Sequence, residues 1–272
     1  MPVAIRALLM FGANTDVGKT LLSAALCRGA AAHFGSDKVA YLKPIQTGYP
    51  TDSDSRFVAK FCPGIYTSTL FTFQDAISPH LAAIRENRPI SDESVLAAVE
   101  TELANFSEKI STEVKSAIKN KESKFGQTPH DNNGFILIET AGGNKRQSVN
   151  SPAISSTLQS TLYKKYPTTN FPATLVGDTR LGGISTTLCS YESLISRGYT
   201  VPLILMAANS ADNAHANHEI ISRNVNPTTR VVVVPAALPV RVADPVIDAQ
   251  NVELYFKNFC DAVFFDCIKF LK

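Results

Sequence analysis

Four residues, Gly12, Gly18, Lys19 and Thr20, stand in the stretch GANTDVGKT, which carries the Gly-Lys-Thr end of the pattern G-x-x-x-x-G-K-S/T with five residues rather than four between its glycines. Those residue types suit the binding of phosphate. A turn almost free of side chains lets backbone N–H groups approach phosphate oxygens, a lysine brings a charge to the β- and γ-phosphates, and a threonine hydroxyl can ligate Mg²⁺. The stretch follows the apolar run Ala7 to Phe11 and leads into Leu21 to Leu26, so it reads as strand, glycine loop and helix. Taken alone, it promises a nucleotide and leaves hydrolysis, switching and group transfer open.

Other candidate groups fall at the ends of apolar runs. Val39 to Leu42 reads as a buried strand bounded by Lys43-Pro44, and in an open α/β sheet a ligand binds outside the carboxyl ends of the strands. Lys43 and Thr47 would then share the crevice of the phosphate loop. Phe135 to Ile138 is the strongest strand signal in the chain and ends in Glu139, the position of a Walker B carboxylate beside Mg²⁺. Asp54, in Asp52-Ser53-Asp54-Ser55 before Arg56 to Phe61, reads by itself as an acidic cap at a helix start. A strand over Pro172 to Gly177 is followed by DTRLGGISTT and a helix over Ile184 to Arg197, whose free N–H groups near Ser185 could hold a carboxylate or phosphate. Strands over Val201 to Met206 and Arg230 to Val234 lead to Asn209, whose amide suits a purine edge, and to Pro235 to Pro239. His80, in a helical first turn after Pro79, reads as structural, and His215 with His218 as an exposed pair without further ligands.

The elements that must position these groups alternate regularly. The first helix runs to about His33 and stops at Phe34-Gly35-Ser36. Val95, Leu96, Val99, Leu103 and Phe106 recur at helical spacing in a long amphipathic helix from Ser91 to about Ile118. Residues 119–134 are polar without period and read as a mobile loop. Further helices are expected over Ser151 to Tyr166 and in the tail from Val246. Strand and helix in alternation imply an α/β fold, a single domain over residues 1–272 with a doubly wound, mainly parallel sheet and helices on both faces.

Composition narrows the function classes. The 272 residues are 44% hydrophobic and 18% charged, and a formal charge of +2 argues against a nucleic-acid or anionic-membrane partner. Five cysteines, odd in number and without a C-x-x-C pair, read as buried thiols of a reducing compartment rather than a disulfide framework. No apolar run approaches the roughly 18 residues that cross a bilayer, and the first strand begins close to Met1, so the expected location is cytoplasmic.

The ordered set GANTDVGKT, KPIQTG, SDS before a helix, SPHLAA, ETAGG, LGGISTT and the late Asn209 resembles the dethiobiotin synthetase family over nearly the whole chain, to Pro239. The resemblance implies an ATP-dependent cyclo-ligase of biotin synthesis with the phosphate-loop fold, Mg²⁺ as cofactor and a homodimer with the substrate site at its interface. It places Gly12, Asn14, Thr15, Asp16, Val17, Gly18, Lys19 and Thr20 around the nucleotide, with Asn209, Pro235, Ala236 and Leu238 at the base. It gives Lys19 and Lys43 the catalytic charges, Thr20, Asp54 and Glu139 the metal, and Thr15, Asp16, Lys43, Thr47 and Gly142 the diamine. Leu181, Gly182, Ile184 and Ser185 would take the distal carboxylate of that substrate across the interface. Asp16, Thr140 and Ser185-Thr186 depart from the residues common in bacterial members, and the 107–134 segment is longer than in compact ones. Two rivals share the fold. Partition-type ATPase switches carry a lysine near the start of the loop, where this chain has Ala13 after the first glycine and no lysine before Lys19, and cobyrinic acid-type amidoligases carry a glutaminase domain, which is not expected within these residues.

Overall fold

The computed structural model describes residues 5–121, 133–141, 171–208, 211–235, 245–259 and 263–264. The helix expected over Ser151 to Tyr166 and most of the tail beyond residue 259 lie outside the described residues. Seven strands pair in parallel in one sheet: β1 (Ile5–Gly12), β2 (Val39–Gln46), β3 (Tyr66–Thr72), β4 (Gly134–Glu139), β5 (Ala173–Gly177), β6 (Leu203–Ala208) and β7 (Arg230–Pro235). Their order across the sheet is β3-β2-β4-β1-β5-β6-β7. The helices are α1 (Lys19–Phe34), α2 (Asp54–Phe61), α3 (Pro79–Arg85), α4 (Asp92–Lys121), α5 (Gly183–Ile195), α6 (Ala211–Arg223) and α7 (Pro245–Phe259).

The strands are apolar on both faces because each face is covered. Along β1, Ala7, Leu9 and Phe11 join one cluster with Val95, Val99 and Leu103 of α4 and Leu194 of α5, while Leu8 and Met10 join a second with α1, α2 and α7. That alternation is the pleat of a strand between two helical layers, the doubly wound arrangement expected. Helix α1 is wedged between sheet and outer helices, so Leu22, Ala24, Ala25 and Leu26 are all fully buried and no solvated face is needed. Cutting Leu26 back to alanine would cost about 2–5 kcal/mol. Gly35, with φ of 96°, ends the helix where the sequence placed its stop.

Four expectations are corrected. Strand β3 was not anticipated, since Tyr66–Thr72 (YTSTLFT) is a half-buried edge strand with little apolar run to mark it. Strand β2 does not stop at Leu42 but continues through Pro44 to Gln46. Beyond Leu42 it has left β4 and pairs with β3, in a register that skips Pro44, which has no N–H to give. Ser53, not an acidic residue, caps α2 by accepting from Arg56 N at 3.3 Å. Helix α4 runs to Lys121, into the loop expected at 119–134, and residues 122–132 of that loop lie outside the described residues.

Candidate active site

Strand pleat and helix period bring distant residues to one place. Val39 and Tyr41 of β2 and Phe135 and Leu137 of β4 face α1, and the register Tyr41↔Leu137, Leu42↔Ile138 sets Lys43 beside Glu139 one step further on. On α1, Lys19 and Ser23 lie one turn apart on the same side. The result is a cluster of charge at the carboxyl ends of β1, β2 and β4. Lys43 Nζ stands 2.8 Å from Glu139 Oε1 and 2.7 Å from Asp54 Oδ2. Ser23 Oγ donates to Glu139 Oε2 at 2.6 Å and Tyr41 OH to the same oxygen at 3.0 Å. Thr20 Oγ1 donates to Asp54 Oδ1 at 2.8 Å, and Asp54 N donates to the Gln46 side-chain carbonyl at 3.1 Å.

The cluster floors a cleft of about 690 Å³ whose lining includes Thr15, Asp16, Gly18, Lys19, Thr20, Lys43, Thr47, Asp54 and Glu139. The phosphate loop makes its other wall. Asp16 and Gly18 have positive φ of 55° and 91°, which glycine takes without strain and aspartate tolerates better than most. A Cβ on Gly12 would stand 2.9 Å from both Lys19 Nζ and the Asn14 carbonyl, so the first glycine makes room for the lysine. Ala13 N bonds Val176 O at 2.8 Å, and Asn14 Nδ2 donates to Asp178 Oδ2 at 3.2 Å. Arg180 closes the side of the loop, donating to Thr15 O and to both oxygens of Asp178.

Burial sets the charges. Glu139 is 0% exposed, Lys43 4% and Lys19 8%. Burial is the largest influence on Lys43 and works against its charge, but Glu139 and Asp54 together outweigh it and hold the pKa above the ordinary lysine value. Burial pulls the Lys19 pKa down, and the attraction of Glu139 does not restore it. Tyr41 is pushed well up by burial and then by Glu139, which keeps its hydroxyl a donor. The Arg180 hydrogen bonds hold Asp178 below the usual aspartate value against the opposing effect of burial.

The oxygen donors Thr20, Asp54 and Glu139 fit Mg²⁺, a hard cation usually held by one or two carboxylates together with substrate phosphates. Among the described residues no group of three or more histidine, cysteine or acidic side chains could hold a metal alone, so phosphate oxygens would have to complete such a site.

Leu181, Gly182, Ile184 and Ser185 do not reach this cleft within the chain. They line a second one of about 600 Å³ with Thr179, Leu188 and Cys189, at the start of α5, where Gly182 has φ of 82°. Val17 lines a small third recess with Asp178 and Arg180. Pro235 ends β7 and is exposed, and Gly142, Asn209, Ala236 and Leu238 lie outside the described residues. His218 Nε2 lies 3.1 Å from Val231 O while His215 is exposed, so neither enters the site. Cys27 and Cys62 are buried and Cys189 is exposed, with no disulfide among the described residues.

Sequence reading missed Ser23, Tyr41 and Gln46. The available signals were spacing alone: Ser23 four residues after Lys19 on a helix, and Tyr41 two residues before Lys43 on a strand.

A parallel, doubly wound sheet with a glycine loop between β1 and α1, and acid and lysine at neighbouring strand ends, defines a phosphate-loop nucleotide-binding protein. The family described as AAA domain matches residues 6–242. The ATP-dependent dethiobiotin synthetase BioD of Streptomyces coelicolor is 31% identical over 211 residues, covering 76% of this chain and 72% of that protein. The chain belongs to the dethiobiotin synthetase family. A bifunctional dethiobiotin synthetase/adenosylmethionine-8-amino-7-oxononanoate aminotransferase of Emericella nidulans is 33% identical over 259 residues, covering 94% of this chain and 28% of that protein. The mitochondrial bifunctional dethiobiotin synthetase/7,8-diamino-pelargonic acid aminotransferase of Arabidopsis thaliana is 34% identical over 257 residues, covering 72% of this chain and 28% of the relative. The chain thus spans less than a third of the length of these bifunctional relatives.

Proposed function

We propose that this chain is an ATP- and Mg²⁺-dependent ligase that closes a cyclic urea. One amine of 7,8-diaminononanoate takes up CO₂ to form a carbamate, ATP phosphorylates the carbamate to a carbamic–phosphoric anhydride, and attack by the second amine expels phosphate and leaves dethiobiotin and ADP. The observation that carries this reading is the meeting of Lys19, Lys43, Thr20, Asp54 and Glu139 in one cleft of a chain from this family.

No protein nucleophile is needed, so catalysis rests on position and charge. Lys19 meets the terminal phosphates. Lys43 faces the carbamate and, with Lys19, offsets the negative charge brought together when carbamate and phosphoryl group meet. Thr15, Asp16, Thr47 and Gly142 hold the diamine, and Asn209, Pro235, Ala236 and Leu238 the adenine. Thr20, Asp54 and Glu139 would hold Mg²⁺, which supplies charge neutralisation at the phosphates when bound.

The reading extends to the assembly. The chain works as one domain in a homodimer, in which the Leu181 to Ser185 turn receives the substrate carboxylate of the partner's site, a role that suits a turn exposed on a separate cleft. We place it in a cytoplasmic, reducing compartment, where buried thiols such as Cys27 and Cys62 persist. No helix among the described residues is long and apolar enough to cross a membrane.

The test supplies ATP, Mg²⁺, bicarbonate and 7,8-diaminononanoate and measures dethiobiotin and ADP. Equal yields of the two products are expected. ADP without dethiobiotin, or turnover that depends on an added protein partner, would overturn the proposal in favour of a switch ATPase.

A further inference from the structure

The two oxygens of Glu139 are not equivalent. Oε2 accepts from both Ser23 Oγ at 2.6 Å and Tyr41 OH at 3.0 Å, which occupies the two acceptor directions of a carboxylate oxygen. Oε1 accepts from Lys43, itself a lining residue of the cleft. The donors come from different elements, α1 and β2, and both are fully buried, as is Glu139. Rotating the carboxylate about its last bond would break two hydrogen bonds from fully buried hydroxyl groups, and an unpaired buried group is costly. The carboxylate therefore has Oε2 committed to the fold and leaves Oε1, which Lys43 holds, as the oxygen on the side of the cleft.

We propose that Ser23 and Tyr41 are positioning residues that restrict Glu139 to one metal-facing oxygen and so set the cation preference of the site. This rests on the reading of Glu139 as a metal-associated carboxylate. Mg²⁺ demands near-ideal octahedral geometry with short contacts, is reluctant to lose its waters, and is satisfied by one carboxylate oxygen or by a bridging water. Ca²⁺ takes six to eight oxygens at longer distance and readily uses a carboxylate through both oxygens. A glutamate locked at Oε2 denies Ca²⁺ that second oxygen and takes nothing from Mg²⁺. Outer partners of a ligand act in this way, by fixing its orientation rather than by touching the cation.

The experiment measures by calorimetry the affinity of the full chain for a non-hydrolysable ATP analogue in EDTA, in saturating Mg²⁺ and in saturating Ca²⁺. The proteins are wild type, Ser23→Ala, Tyr41→Phe and Glu139→Gln, each checked for wild-type far-UV circular dichroism and a cooperative melt. The gain from Mg²⁺ over EDTA should exceed the gain from Ca²⁺ in wild type. In Ser23→Ala and in Tyr41→Phe the Mg²⁺-to-Ca²⁺ affinity ratio should fall at least about fivefold, toward the range seen when a ligand loses its outer partner. A general loosening of the fold would lower both affinities together and leave the ratio unchanged, so the ratio separates positioning from stability. If Glu139→Gln keeps the Mg²⁺ gain, the metal role of Glu139 is wrong and the inference goes with it. If Glu139→Gln abolishes the gain while both hydroxyl variants keep the wild-type ratio, the metal role stands and the lock is refuted.

Discussion

Replacing Lys43 by methionine retains most of the aliphatic stem and removes the ammonium from between two carboxylates. The contacts to Asp54 and Glu139, at 2.7 and 2.8 Å, each carry a gross attraction on the order of 6 kcal/mol at an effective dielectric of about 20. Most of that is spent on the desolvation of three charged groups, so the gross figure does not measure stability. What counts in the variant is the charge left without a partner. Asp54 keeps 22% of its side chain exposed and turns to water, whereas Glu139, at 0%, cannot. Breaking a buried pair from one side costs about 3–5 kcal/mol, and the partial exposure of Asp54 puts this case near the lower end, about 3 kcal/mol. For a chain of 272 residues that is a fall in melting temperature of about 5 °C. Turnover to dethiobiotin should fall at least about a hundredfold, the scale of one lost electrostatic contact at a reacting group. Differential scanning calorimetry and a coupled ADP and dethiobiotin assay read the two effects. A variant that melts within about 1 °C of wild type would refute the buried-pair argument, and one with near-normal turnover would remove Lys43 from the chemistry.

Three further perturbations probe other parts of the site. Gly12→Ala places a methyl group 2.9 Å from Lys19 Nζ and the Asn14 carbonyl, an overpacking of about 1–3 kcal/mol that should appear as lost nucleotide affinity in calorimetry. Unchanged affinity would mean that the loop shifts freely. Asp178 has a depressed folded pKa, so the stability its charge supplies is present above the ordinary value of 3.8 and lost as pH falls through the lower folded value. The stability gap between wild type and Asp178→Asn should be full at neutral pH and close below pH 3.8, and a gap that stays constant across acid titration contradicts the assignment. Leu181, 107% exposed, is an apolar side chain on the turn proposed to meet a second copy. Leu181→Asp should shift sedimentation from dimer toward monomer, and a wild-type dimer in that variant would take the turn out of the interface.

Much of this site is readable from the order of residues because its parts sit where apolar runs stop, at or near the carboxyl ends of strands. The glycine loop, Lys43 and Glu139 each close an apolar run, and in a parallel sheet those ends share one edge. What escaped was set by tertiary context. Tyr41 and Ser23 look like filler in a strand and a helix, since the carboxylate they serve is 98 and 116 residues away in the chain. Three adjacent polar residues, Asp52, Ser53 and Asp54, are all good caps, and composition does not choose among them. The choice of Ser53 frees the Asp54 side chain for Thr20 and Lys43, while Gln46 takes the Asp54 N–H. Strand β3 was invisible for a different reason. An edge strand buries one neighbour fewer, and its threonines and half-exposed pattern carry no long apolar run.

The two buried lysines prepare the cleft in opposite ways. Lys43 has its countercharges supplied by the fold, and its ammonium is more firmly protonated than that of an ordinary lysine. Lys19 is buried nearly as deeply, but its ammonium donates to the Asn14 carbonyl at 3.5 Å, and its pKa falls. A charge withheld from water and short of an anion gains more from an arriving phosphate than a solvated lysine does, because the desolvation has already been imposed by folding. Among the described residues Lys19 makes no ion pair for an arriving anion to disrupt. An anion at Lys43 competes with Asp54 and Glu139, and it competes on even terms only once another cation has taken over those two carboxylates. On the proposed reading, the same pair of acids that holds Lys43 in place before the nucleotide arrives would be handed to a divalent cation afterwards.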